Sequence, residues 1–66
     1  MSPEVEKALM NYRAALIESR NAFFTHLTLL SNDAGDAALG KSKERRTAAQ
    51  FALDRARAAL HLELVK

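Results

Sequence analysis

The feature that most limits how this chain can fold is a stretch of about 26 residues, Val5 to Leu30. It holds neither glycine nor proline and carries apolar residues at helical spacing throughout. Read as one α-helix, it is roughly 39 Å long at 1.5 Å per residue. Its apolar side chains fall in three columns. Val5, Leu9, Tyr12, Leu16, Phe23 and Leu30 form the main stripe, which is expected to face a partner helix. Ala8, Ala15 and Ala22 recur every seven residues on one flank and are continued by Leu29. Met10, Ile17 and Phe24 repeat with the same period on the other. Together the columns span an arc of roughly 220°, at about 100° per residue. One neighbour cannot cover so wide an arc, so the helix needs two or more. Ser19 and His26 interrupt the main stripe. Ser19 reads as a small residue that permits close approach. His26 reads as a half-buried ring held by one hydrogen bond.

The helix has a clear start. Ser2 is placed to cap it, Pro3 occupies the first turn where its missing N–H costs nothing, and Glu4 and Glu6 suit the positive end of the helix dipole. Its end is marked by Ser31-Asn32-Asp33-Ala34-Gly35-Asp36, a run of turn formers in which Gly35 is expected to supply the positive φ. A second helix follows, starting between Asp36 and Ser42 and most naturally near Lys41, with Ser42 as a second candidate cap. It carries one stripe of Ala49, Leu53, Ala56, Leu60 and Leu64, and beside it another of Ala48, Phe51, Ala52, Ala59, Leu62 and Val65.

The expected fold is therefore all-α: one domain over residues 1–66, an antiparallel hairpin with helix one at about 3–30, a loop at about 31–41 and helix two at about 42–65. Pairing the helices about that loop sets His26 opposite Arg45 and Leu16 near Asp54 and Arg55. A hairpin alone would leave Met10, Ile17, Phe24, Phe51, Leu62 and Val65 as an apolar patch larger than monomers usually carry. Two hairpins packed as a homodimeric four-helix bundle would cover it, and these six residues are the expected protein interface. Size points the same way. A chain of 66 residues has little core, and with no cysteine it has neither disulfides nor thiolate zinc sites to reinforce it.

No catalytic constellation is present. Gly35 and Gly40 stand alone rather than in a phosphate loop, and Thr25 and His26, adjacent on a helix, point to different faces. The acidic residues form no acid–base pair. His26 and His61 alone fall short of the usual four metal ligands. The chain is thus read as non-enzymatic, with no cofactor and no metal. The run Lys41-Ser42-Lys43-Glu44-Arg45-Arg46 is the strongest charge feature, and Lys41, Lys43, Arg45 and Arg46 are its candidate contacts to nucleic acid or an acidic partner. A formal charge of +2 is too mild to argue nucleic-acid binding, and the outer face of helix one carries one base only. The start lacks the basic and apolar regions of a secretory signal, and no apolar run reaches membrane-spanning length, so a cytoplasmic protein with no membrane partner is expected.

In outline the chain resembles two groups of small helical hairpins: plasmid RNA regulators that dimerise into four-helix bundles, and co-chaperones of type III secretion needle subunits. The resemblance is one of architecture, so no functional residue carries over. The expected function is a protein–protein interaction module, with itself or another helical protein as partner and a role as regulator, adaptor or chaperone-like subunit. The alternative is a nucleic-acid-binding regulator that uses the basic start of helix two.

Overall fold

The computed structural model describes residues 2–66. It holds two helices, α1 (Pro3–Ser31) and α2 (Asp36–Leu64), packed against each other as an antiparallel hairpin. The start of α1 is as its residues dictate. The Ser2 side chain accepts a hydrogen bond from the Val5 N–H at 3.2 Å, and Glu4 and Glu6 sit in the first turn.

The turn departs from expectation. Gly35 has φ −67°, and the positive φ falls on Asp33, at 52°. Asp33 and Ala34 donate their N–H groups back to the carbonyls of Leu30 and Leu29, at 3.3 and 3.0 Å. This is the two-bond ending in which the residue after the cap turns left-handed, a role aspartate fills at lower cost than most side chains. Because α1 is closed so economically, α2 begins at Asp36, not near Lys41, and the connection shrinks to four residues between Ser31 and Asp36. Gly40 then lies inside the helix, where it costs about 1 kcal/mol relative to alanine. Ser42, expected as a cap, lies six residues beyond the start and is buried.

The packing seam also differs from the stripe expected to face the partner. On α1 the buried and half-buried positions are Val5, Ala8, Tyr12, Ala15, Ser19, Ala22, His26 and Leu29, spaced alternately by three and four residues. On α2 they are Leu39, Ser42, Ala49, Leu53, Ala56, Leu60 and Glu63, with Arg46 completing the same spacing. This is a seven-residue repeat of the kind that winds two helices around each other. Leu9, Leu16, Phe23 and Leu30, assigned by sequence to the interface, are exposed instead. The reason is steric. Alanine at every seventh position of α1 lets the two helix axes approach closely, and leucines of α2 such as Leu53 and Leu60 fill the space opposite, leaving no room for a second large column from α1.

One inter-helix hydrogen bond crosses the seam, between His26 Nδ1 and Ser42 Oγ at 3.0 Å. In an antiparallel pair each step up one helix is a step down the other. The bond therefore sets Ser19 level with Ala49, Tyr12 with Ala56, Ala15 with Leu53 and Ala8 with Leu60. In these four layers small faces large or small faces small. His26 is thus opposite Ser42, not Arg45, and Leu16 falls level with Ala52, two positions short of Asp54 and outside the seam. A single polar layer of this kind specifies register in helical pairs.

Candidate protein-interaction surfaces

The seam buries little. Its fully buried apolar residues are Ala8, Ala22, Ala49 and Leu53. Outside it, among the described residues, twelve large apolar side chains are exposed, from Leu16 at 40% to Met10 at 70%. The hairpin is a rod of 47 × 14 × 12 Å with a radius of gyration of 14.9 Å. A compact chain of this length would have a radius near 11 Å. Its accessible surface is 5121 Å². A compact 7.3 kDa monomer would show about 4,200 Å². The excess, roughly 900 Å², comes from the elongated shape, which leaves both broad faces and both edges in solvent.

This surface is divided between faces. The six residues expected to form one interface patch are all exposed, but they do not lie together. Met10, Ile17 and Phe24 run along the back of α1, opposite its seam, and the hollow beside Phe24 is lined only by α1 residues, Asn21, Thr25, Thr28 and Leu29. Phe51 and Val65 run along the back of α2, with Leu62 beside them, and the hollow at Phe51 is lined only by α2 residues. They form two edges of the rod.

The two broad faces contrast more sharply. One is polar. Arg45 reaches across it to Glu18 with two hydrogen bonds, at 2.8 and 2.9 Å, and a third, longer one to Thr25 Oγ1. The bidentate geometry holds the Glu18 carboxyl below its ordinary range, chiefly through the hydrogen bonds from Arg45 and secondarily through its charge. Glu63 and Lys66 pair at 2.8 Å near the free ends.

The other broad face carries the leucine stripe: Leu9, Leu16, Phe23 and Leu30, beside the seam. Sequence reasoning found this stripe but placed it inside. At its loop-proximal half Phe23 and Phe24 meet edge to face, with ring centres 6.0 Å apart, and the Arg46 guanidinium lies 5.3 Å over the Phe23 ring. A shallow depression of about 530 Å³ opens here between the helices. Arg20, Lys43 and Arg46 stand around its aromatic floor, with Thr47 and Gln50 at the rim.

The basic run of α2 is therefore not one patch. Arg45 is committed to Glu18 on the polar face, Lys43 and Arg46 turn to the leucine-stripe face, and Lys41 is exposed two positions before Lys43 on the helix. What sequence reasoning missed is Arg20, which joins Lys43 and Arg46 only because the hairpin folds. The signal was in the register, which a one-dimensional charge run does not show.

Among the described residues, no cluster of three histidine, cysteine, aspartate or glutamate side chains could hold a metal ion, and no helix is long and apolar enough to cross a membrane. A scan against protein-family models, a search of curated proteins and a search of solved structures match nothing in this chain.

Proposed function

We propose that this chain is a non-enzymatic protein–protein interaction module: a self-associating helical hairpin that completes its core with helices from outside itself and serves as an adaptor, regulator or chaperone-like subunit. The observation that carries the reading is the inversion of size across α1. Its buried residues are the alanines Ala8 and Ala22, while Leu9, Leu16, Phe23 and Leu30, and Met10, Ile17 and Phe24, face outward in columns seven residues apart. Single exposed leucines are ordinary. Contiguous exposed stripes along the whole of a 29-residue helix mark a surface that other helices cover. The backs of the helices, with Met10, Ile17 and Phe24 on one and Phe51, Leu62 and Val65 on the other, are where copies meet in a four-helix assembly.

Sedimentation equilibrium of the purified chain at tens of micromolar, an order set by typical affinities, tests the reading. A species heavier than 7.3 kDa is expected, with a melting temperature that rises with concentration. A monomer that melts cooperatively at a temperature independent of concentration would overturn it.

A further inference from the structure

We infer that the leucine-stripe face is the docking site for a single amphipathic helix of another protein, one whose apolar side is bordered by acidic residues. The inference rests on the interaction-module reading and specifies its partner. The argument is one of charge. The stripe Leu9, Leu16, Phe23, Leu30 has cations along both edges. On its outer edge α1 places Arg13 and Arg20, one heptad apart. On its inner edge α2 places Lys43 and Arg57, two heptads apart, with Arg46 between them over Phe23. Among the described residues none of these five forms an ion pair: the two ion pairs present are Glu18–Arg45 and Glu63–Lys66, and neither uses them. The acids of this face are Glu6, one heptad before Arg13, Asp36, one heptad before Lys43 at the loop end, and Asp54 near the middle, which accepts a hydrogen bond from Gln50 at 3.0 Å.

This pattern disfavours a second copy on the same face. A two-fold interface puts each patch against its own image. Here that would bring ten cations together against six acids, Glu6, Asp36 and Asp54 of each copy, and around Leu16 and Phe23 only Asp54 answers them. It would also press Lys43, Gln50 and Arg57, which are α2's side of the face, into the centre of a four-helix core. A single helix lying along the groove avoids both costs. Its apolar stripe covers Leu16 and Phe23, and carboxylates on its two flanks meet Arg13 and Arg20 on one side and Lys43 and Arg57 on the other, forming a three-helix arrangement. The opposite broad face is already neutralised by its own ion pair and offers no such invitation.

The test uses two synthetic amphipathic peptides with the same leucine stripe, one with glutamate on both flanks and one with lysine, titrated into the full chain. The glutamate peptide is expected to bind at least about tenfold more tightly at low salt, with the advantage shrinking as salt screens the flanks. Arg20→Glu with Lys43→Glu should erase or reverse the preference while helicity is unchanged, since both side chains are exposed. Equal binding of the two peptides, or binding of neither, overturns the inference. So does tighter binding of an RNA hairpin or of anionic vesicles than of the glutamate peptide. A cysteine introduced at Leu16, in a chain that has none, reads out the remaining alternative. Disulfide-linked copies formed at micromolar concentration would show a second copy on the stripe and overturn the inference, while leaving the interaction-module reading intact. A stable, peptide-inert monomer would sink both.

Discussion

Two columns of α1 share the same period and opposite fates. Ala8, Ala15 and Ala22 lie in the seam, and Ala22 is 1% exposed. Leu9, Leu16 and Phe23 each follow one residue later and stay in solvent, Phe23 at 45%. Hydrophobicity alone would have ranked them the other way. The difference teaches that in a two-helix unit the seam is chosen by size before apolarity. Small residues bring two backbones close along their whole length and let α2's leucines fill the gap. The large residues are then left for a neighbour that is not part of the hairpin. The hairpin is held by steric fit over a small area, and its surface is where most of the hydrophobic free energy waits.

That contrast is open to attack, and the strongest attack is on the seam. Ala22→Glu should cost about 3 kcal/mol or more, because an unpaired charge would be forced into the closest contact. For a hairpin this small, circular dichroism should show loss of cooperative folding. Ala22→Leu, more apolar than the native residue, should still destabilise by about 1–3 kcal/mol through overpacking. A gain in stability would mean that the seam is not size-limited.

Changes in the exposed stripe should behave oppositely. Phe23→Ala and Leu16→Ala should alter the hairpin's intrinsic stability by no more than about 0.5 kcal/mol, as for other surface positions, while weakening partner binding measured by titration. If they unfold the isolated hairpin, the division between seam and stripe is wrong. At the polar layer, Ser42→Ala removes the partner of His26 and should cost about 1 kcal/mol in denaturant unfolding. Gly40→Ala should do the reverse. It sits inside α2 with nothing within 4 Å of an added Cβ, and should gain about 1 kcal/mol.

The smallest effect belongs to the polar face. Glu18 is held below its ordinary pKa by Arg45, so its contribution is present above the unfolded carboxylate value and fades as pH falls through the folded one. Glu18→Gln should therefore be slightly less stable than the native chain at neutral pH. Thermal melts of the two should converge on acidification.

Much of this molecule was legible one residue at a time. The Ser2 cap, the proline in the first turn, the unbroken period from Val5 to Leu30 and the alanine-rich second helix dictate two long helices and a turn, because each rests on local propensity or on a spacing of three or four. The turn residues were legible as a group but not in their roles. That Asp33 and not Gly35 takes the positive φ depends on which carbonyls of α1 are free to be satisfied, and this in turn decides where α2 begins.

Local rules could not assign the seam or assemble the cationic face. Three apolar columns on α1 were each competent to be buried, and only packing against a second helix chooses between them, since the choice turns on the distance between axes. Arg20 and Lys43 are 23 positions apart in the chain and stand around one depression because His26 and Ser42 set the register. Local periodicity thus determined that the chain is two amphipathic helices with more apolar surface than they can hide from each other. The tertiary structure decided which surface stays outside and which charges border it, because both depend on the steric fit of side chains far apart in the sequence.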